Sequence, residues 1–234
     1  MLLFLASEAR ELAGLLSRCG RVAKLNWPLD WVRSAELNGN PVLLAANGAG
    51  PRLAARALEV VRNAASSKGK VDGVVSAGFC GALDPALKIG DVIVASRIQA
   101  GNQLTEVRTP GSSKLVFRGT LVSQDRVAQT EEEKRNLRRS GASAVEMEAA
   151  GMLPRVREWE LPFFCIRSVT DLAEESFTVD FNAARDGDGR FRLPRIMAAA
   201  IRKPLTAGVE LVELRRRCAI AARSLGDFIA DCSF

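Results

Sequence analysis

Short apolar runs, each too short to form a helix, recur along the chain and alternate with amphipathic stretches. Most of these runs are flanked by Gly, Asn or Asp, which is typical of the ends of buried strands. Strands are therefore predicted at residues 2–5, 42–46, 71–77, 91–95, 144–147 and 163–169. Helices are predicted at residues 7–16, 51–65, 131–139 and 148–158. This alternation predicts an α/β fold around a mixed or parallel central sheet.

A basic segment near the C-terminal end differs from the rest of the chain. It spans residues 185–203, opens with the turn-rich stretch 186–189 and is followed by Pro204. Its basic residues are Arg185, Arg190, Arg192, Arg195, Arg202 and Lys203. We expect either a solvated loop before a packed terminal helix at 205–231, or a basic rim that meets a phosphate, a membrane surface or a large substrate. With no repeat or linker in the sequence, one domain over 1–234 is predicted, with 184–204 as a basic insertion.

The sequence contains no His and no Tyr. Without His, the Ser-His-Asp and Cys-His mechanisms and the HExxH zinc site are excluded, so proton transfer falls to carboxylates, Lys, Cys or water. The net charge of +6 favours anions without selecting among them. Only 6% of the residues are aromatic, so few side chains are available to stack on nucleic-acid bases. No nucleic-acid partner is therefore expected.

The five Cys residues are odd in number, widely spaced and contain no CxxC pair. This pattern predicts neither a zinc ribbon nor a redox dithiol, and it favours a reducing, cytoplasmic location. No metal or organic cofactor is expected, because ligand clusters are lacking. The apolar run at the N-terminus is too short for a signal peptide, and no stretch reaches the length of a membrane span.

Two Gly-rich turns follow predicted strands. The first contains Asn47, Gly48 and Gly50 and precedes a predicted helix, so its backbone amides can approach an anion or a polar hydroxyl. The second runs over 76–85 and contains Gly78, Phe79 and Cys80 at its centre. It is neither a GxGxxG motif nor a P-loop, so dinucleotide and nucleoside triphosphate binding are unsupported. A Gly-rich turn that leaves a buried strand is nevertheless expected to form one wall of a ligand pocket.

Acidic residues stand where two predicted strands end. Glu146 and Glu148 close one strand, and Asp171 follows another. A single acid in such a position is most simply a helix cap or the partner of an Arg. Two such segments beside two Gly-rich turns, in a chain without His, indicate an active site that relies on carboxylates.

Three stretches resemble the nucleoside phosphorylase and nucleosidase superfamily, in particular its 5'-methylthioadenosine/S-adenosylhomocysteine nucleosidase branch. They are SAGFCGALDPALKIGDVIVAS, VEMEAAG and IRSVTDLAEES, and they occur in the family's order and spacing. The stretches ASEAR and NGAGP and the tail from 186 to 228 are similar to the hopanoid-associated phosphorylase branch, whose members are thought to remove adenine from a lipid-linked adenosyl precursor. The resemblance implies one three-layer α/β/α domain with a mixed central sheet, assembled as a homodimer or a higher oligomer.

The resemblance also implies roles for individual residues. Asp171 would protonate N7 of the purine, and Glu148 would bind the ribose hydroxyls with Met147 packed beneath the sugar. Arg167 would position the neighbouring carboxylates. Glu8 would orient or deprotonate the attacking water, with Glu11 as the alternative because the loop lengths differ. The remaining residues expected in the substrate pocket are Glu146, Gly78, Phe79, Cys80, Thr170, Val127, Asn47, Gly48 and Gly50.

The nucleophile decides between hydrolysis and phosphorolysis. Phosphorylases of the superfamily hold phosphate with Arg and Ser side chains, and the matching positions in the Gly-rich loop are Ser76 and Phe79, so water is predicted unless Arg52 or a neighbouring subunit compensates. Val127 and Ala128 stand where the family packs an aromatic and an aliphatic residue around the base. The predicted function is cleavage of the N-glycosidic bond of an adenosine-type nucleoside. The alternatives are phosphorolysis, action on a lipid-linked adenosyl substrate with at most peripheral membrane contact, and non-catalytic nucleoside binding.

Overall fold

A computed structural model describes residues 1–65, 69–202 and 204–234 of the chain. The strands are β1 (Leu2–Ala6), β2 (Gly20–Lys24), β3 (Trp31–Leu37), β4 (Asn40–Ala46), β5 (Gly73–Ala82), β6 (Val92–Ala100), β7 (Gln103–Glu106), β8 (Phe117–Ser123), β9 (Ala144–Glu146) and β10 (Phe163–Asp171). The helices are α1 (Ala13–Leu16), α2 (Pro51–Ala65), α3 (Glu131–Arg138), α4 (Ala149–Glu158), α5 (Leu193–Arg202) and α6 (Val209–Ile229). A 3-10 turn at Ala9–Leu12 precedes α1, and a π-helical turn at Pro204–Gly208 precedes α6.

The strands form one mixed sheet in the order β10-β6-β8-β9-β5-β1-β4-β3-β2, with β7 paired to β6. Strand β10 also pairs with β5, so β5, β9, β8, β6 and β10 close into a ring at one end of the sheet. The pairs β1–β4, β1–β5 and β5–β10 are parallel, whereas β3–β4 and β6–β10 are antiparallel. The prediction of an α/β fold with a mixed central sheet is therefore confirmed.

The side chains of β1 alternate between two apolar cores, one on each face of the sheet. Leu3 and Leu5 belong to the core formed with α2 and α4. Phe4 belongs to the core on the other face, together with residues of α1 and α6. Because successive side chains of a strand point to opposite faces, a run that is apolar at every position is buried on both sides. The helices consequently lie on both faces, which makes three layers.

All six predicted strands are present, and most extend beyond their predicted ends. The four strands that the sequence pattern missed are β2, β3, β7 and β8. Strand β2 is exposed along its whole length, so it carries no apolar signal. The helix predicted at 7–16 begins as a 3-10 turn, and α5 lies in the segment for which a loop was one of the two expectations. Lys203, one of the predicted basic residues, lies outside the described residues.

The ends of several strands meet at one edge of the ring. Ser7 follows β1, Glu146 ends β9 and Asp171 ends β10. Gly81 of β5 lies between β9 and β10, since it pairs with Val145 on one side and with Asp171 on the other. In α/β sheets, ligands bind outside the carboxyl ends of the strands, so this edge is where a site is expected. Among the described helices, none is long and apolar enough to cross a membrane.

Candidate active site

A cavity of about 210 Å³ opens at this edge of the sheet. It lies between the strand ends, the segment after β10 and the inner faces of α5 and α6. The sequence-predicted residues that line it are Glu8, Glu11, Phe79, Cys80, Val127, Glu146, Met147, Glu148, Thr170 and Asp171. The carboxylates predicted from separate segments thus line one cavity.

On one side of the cavity, Asp171 forms a buried ion pair with Lys134 of α3, which we call the lysine pair. Lys134 Nζ lies 2.6 Å from Asp171 Oδ2 and donates a second hydrogen bond to the carbonyl oxygen of Leu172 at 2.7 Å. Thr170 Oγ1 donates to Asp171 Oδ1 at 3.1 Å. Burial raises the pKa of Asp171 above its ordinary value, and the charge of Lys134 opposes that rise. A carboxyl group with a raised pKa is suited to donate a proton.

On the other side, Arg167 is completely buried among carboxylates. Its Nη2 donates to Glu146, to Ser76 Oγ at 2.7 Å and to Glu148 Oε2 at 3.2 Å. Together with Glu11, described below, Arg167, Glu146 and Glu148 make up what we call the arginine cluster. Three acids in this cluster share one cation.

Glu146, the last residue of β9, and Glu148, two residues later, make different hydrogen bonds. Glu146 accepts hydrogen bonds from the backbone N–H groups of Glu148 (3.0 Å) and Ala149 (3.1 Å), so it caps the start of α4 as well as pairing with Arg167. Glu148 Oε1 accepts from the N–H of Gly50 at 3.2 Å. Burial raises the pKa of Glu148 to about 8, with Arg167 opposing and Glu146 and Glu11 adding to the rise. Glu148 is therefore the member of this motif that can take up and release a proton near neutral pH.

Glu11 enters the cluster from the 3-10 turn after β1. Ser7 Oγ donates to Glu11 Oε1, and the Ser7 N–H donates to Oε2 at 3.4 Å. Burial raises the pKa of Glu11 to about 7, opposed by the hydrogen bond from Ser7 and by Arg167. Gly78 makes this approach possible, because a Cβ at that position would collide with Glu11 Oε2 and lie 2.9 Å from Arg167 Nη1.

Glu8, which the sequence favours as the base, occupies a different environment from Glu11. Its carboxylate pairs with Arg10 at 2.6 Å, and its side chain is 39% exposed. The side chain of Glu11 is instead buried and held by Ser7. The geometry therefore favours Glu11 over Glu8, because the helical turn carries the later residue inward and leaves the earlier one at the rim.

In the first Gly-rich turn, Ala49 lines the cavity, whereas the predicted residues Asn47, Gly48 and Gly50 do not. Asn47 Nδ2 donates to the carbonyl oxygen of Leu53 at 3.0 Å, and the Gly48 N–H donates to the carbonyl oxygen of Ser7 at 2.8 Å. These two hydrogen bonds stabilise the conformation of the turn. Arg52 pairs with Asp188 at 3.3 Å in an adjoining surface depression, which shares Ala49 and Arg126 with the cavity, and Arg52 itself does not line the cavity.

Sequence reasoning missed Lys134 and an aromatic wall. Lys134 lies in a highly charged stretch in which nothing distinguishes it from its neighbours. Phe177, Phe181 and Phe191 line the cavity and pack edge to face, with ring centroids 5.1 Å and 6.4 Å apart. They supply aromatic surface in the cavity that Val127 also lines. Among the described residues, no cluster of three or more His, Cys, Asp or Glu side chains could hold a metal ion.

Comparison with known families places the chain in a class. The family model described as the phosphorylase superfamily matches residues 32–119 and 114–202. The chain belongs to that superfamily of enzymes, and the resemblance of its three motifs is confirmed.

Two individual relatives of the chain carry the same name. The chain is 25% identical over 176 residues to the 5'-methylthioadenosine/S-adenosylhomocysteine nucleosidase of Staphylococcus aureus (strain bovine RF122 / ET3-1), over 63% of this chain and 75% of the relative. It is 25% identical over 180 residues to the Listeria welshimeri enzyme of the same name, over 63% and 76% of the two chains.

Solved structures share the fold. The Neisseria meningitidis nucleosidase of that name, in complex with methylthio-immucillin-A, superposes with a TM-score of 0.72 at 22% identity, over 98% of this chain and 96% of that one. Futalosine hydrolase of Helicobacter pylori superposes with a TM-score of 0.69 at 17% identity, over 97% and 94%.

Proposed function

We propose that the chain cleaves the N-glycosidic bond of an adenosine-type nucleoside, with water as the nucleophile. The observation that carries the proposal is the presence, in one cavity, of the lysine pair on one side and the arginine cluster on the other. Relatives named as nucleosidases support the reaction class, and their names support an adenosine-type substrate.

Asp171 is the proton donor in this scheme. Its raised pKa brings the protonated form closer to working pH, and in that form the carboxyl group donates its proton to N7 of the purine as the bond between C1' and N9 breaks. The electron pair of that bond passes to the purine, and the proton on N7 makes the base a neutral leaving group. Lys134 holds the carboxyl group in position through its contact at 2.6 Å.

Glu11 is the base that receives a proton from the attacking water. Its pKa of about 7 is close to working pH, where a general base is most effective. Arg167 Nη1, buried near Glu11, has no hydrogen-bond partner among the described residues, and a buried polar group of this kind ordinarily has one. A water held between Glu11 and Arg167 Nη1 would satisfy both groups. Its oxygen bonds to C1', and its proton goes to Glu11.

Glu148 is the group that binds the ribose. Its carboxylate can accept hydrogen bonds from two hydroxyls, and such bonds favour the ionised form. Because the oxocarbenium-like transition state carries positive charge on the sugar, a carboxylate beside it strengthens binding as the reaction proceeds. Substrate binding is thus expected to lower the pKa of Glu148 from about 8 in the free enzyme.

The alternatives differ in nucleophile and in substrate size. Arg10 and Arg126 line the cavity, which favours phosphorolysis, but each is paired with a glutamate, Glu8 and Glu133 respectively. A lipid-linked adenosyl substrate is favoured by the apolar wall of the cavity. Its members are Phe177, Phe181, Phe191, Ile196 and Leu214.

The test is release of base from 5'-methylthioadenosine, adenosine and inosine, with and without phosphate. We expect adenine and a free sugar without phosphate, and a loss of about 10²–10⁴-fold in rate for Asp171→Asn. The control is Asp188→Asn, an exposed aspartate outside the cavity, which should retain the wild-type rate. Sugar 1-phosphate as the product would establish phosphorolysis instead of hydrolysis. Binding of adenine without cleavage of any nucleoside, including extracted lipid-linked ones, would establish a non-catalytic binder.

A further inference from the structure

The outer side of α5, the π-helical turn and α6 carries an unusual exposed surface, which we call the apolar face. Leu205 is 88% exposed, and the five other residues of the apolar face are each between 48% and 74% exposed. The members are Leu193, Met197, Ile201, Leu205, Val209 and Val212. Their spacing of three or four residues places neighbours on the same side of a helix. Contiguous exposed apolar surface of this kind marks an interaction site more often than it occurs by chance.

The opposite side of the same two helices is also apolar, and it is buried. Ala200 and Ala207 lie in a core with Phe181, while Ile196 and Leu214 pack against that core and line the cavity. These helices therefore do not owe their apolar outer residues to a need for packing within the chain. A helix that is apolar on both sides is ordinarily covered on both.

The charges around the apolar face are positive. Arg192, Arg195, Arg215 and Arg216 are all exposed beside it. Two of the four are paired with an acid, Arg192 with Asp186 at 3.6 Å and Arg216 with Glu213 at 2.7 Å. The two acids between residues 192 and 216 are already engaged within the protein. Glu210 accepts from the N–H groups of residues 178 and 179, and Glu213 pairs with Arg216 and Arg217.

We propose that the apolar face docks on an anionic lipid bilayer. Apolar side chains enter the boundary between headgroups and acyl chains, and the flanking arginines bind the anionic headgroups. Charge complementarity favours a bilayer over a second copy of the chain, because a second copy would bring the same arginines against one another. Since the inner side of α5 and α6 lines the cavity, docking holds the candidate active site within one helix diameter of the lipid. The inference does not depend on the proposed reaction.

The test is co-sedimentation of the full chain with vesicles of phosphatidylcholine alone or mixed with phosphatidylglycerol. We expect binding to the mixed vesicles, weakened by high salt, and little binding to phosphatidylcholine alone. Leu205→Asp and Val212→Asp should each weaken binding by about tenfold or more. The matched control is Leu115→Asp, because Leu115 is a fully exposed leucine outside the apolar face. It should bind like the wild type.

Circular dichroism of each variant checks that it is folded, and light scattering of each gives its mass. Failure of the wild type to bind anionic vesicles overturns the proposal, as does equal binding by wild type, Leu205→Asp and Val212→Asp. A dimer that Leu205→Asp converts to a monomer, without vesicle binding by the wild type, would assign the apolar face to a second copy. Vesicle binding by a protein that cleaves no nucleoside would leave this inference standing and remove the proposed function.

Discussion

The arginine cluster and the lysine pair are both buried at the same edge of the sheet, yet they differ in the ratio of acids to cations. In the arginine cluster one guanidinium faces three carboxylates. Burial raises the pKa of Glu11 to about 7, and burial together with repulsion from Glu146 and Glu11 raises the pKa of Glu148 to about 8. In the lysine pair one ammonium faces one carboxyl group. The carboxylate-rich side therefore holds groups that exchange protons near neutral pH, whereas in the lysine pair the ammonium opposes the rise that burial causes in the pKa of Asp171.

Removing the shared cation should have the largest effect on this arrangement. Arg167→Leu leaves Glu146 and Glu148 buried without their partner, and breaking a buried ion pair in this way costs about 3–5 kcal/mol of stability. Urea unfolding of the variant and the wild type at pH 7 measures the difference. The control is Arg155→Leu, which removes a partly exposed pair with Glu59 and should leave the free energy of unfolding nearly unchanged. Equal losses in the two variants would show that Arg167 is not the centre of a buried cluster.

The second-largest effect is expected when each of the two candidate bases, Glu11 and Glu8, is substituted in turn. In the proposed reaction the buried Glu11 receives the proton from water, so Glu11→Gln should lower the rate of base release by about 10²-fold or more. Glu8→Gln removes only a partly exposed pair with Arg10, and its rate should stay within about threefold of the wild type. Steady-state rates of adenine release measure both. A large loss in Glu8→Gln with little change in Glu11→Gln would restore the preference derived from sequence.

Removing Lys134 should shift the pH profile. Burial raises the pKa of Asp171, Lys134 and Thr170 oppose that rise, and Glu175 adds to it. In the proposed reaction Asp171 acts in its protonated form, so activity should be lost as pH rises through its pKa. Lys134→Met removes the opposing charge, so the alkaline limb of kcat/KM should move to higher pH by about one unit or more.

A matched variant on the same helix controls for helix damage. Arg138→Met removes a pair with Asp84 at 2.8 Å, away from the cavity, and should leave the alkaline limb in place. A limb that moves to lower pH in Lys134→Met would contradict the assignment of Asp171 as the proton donor.

Stability should also depend on pH, with a smaller effect. The folded-state pKa values of Glu11 and Glu148 exceed their ordinary value, so the folded protein binds more protons than the unfolded chain between about pH 4.5 and 8. Their contribution to stability is complete below about pH 4.5 and is lost as pH rises through 7 and 8. Glu148→Gln should flatten this fall in urea unfolding between pH 5 and 8. An unchanged slope would mean that Glu148 is already ionised in the free protein.

The sequence predicts the fold and the positions of Glu148 and Asp171 because both depend on local signals. A buried strand is marked by a continuous apolar run, and an acid at its end is visible in the sequence. Lys134 could not be found this way, since only the packing of α3 against the end of β10 brings it to Asp171. The choice between Glu8 and Glu11 depends on a 3-10 turn, which reverses the side of the chain that faces inward. Strand β2 and helix α5 were missed because an exposed strand and a helix apolar on both sides lack the expected periodicity.

A crystal structure with the nucleoside analogue methylthio-immucillin-A bound to this chain would test the central claim most directly. The account predicts that a carboxyl oxygen of Asp171 lies within hydrogen-bond distance of the N7 position of the base. It also predicts that Glu148 binds the hydroxyls of the sugar ring and that Glu11 lies on the face of the ring opposite the base. An analogue bound with its base away from Asp171, or outside the cavity between the lysine pair and the arginine cluster, would contradict it.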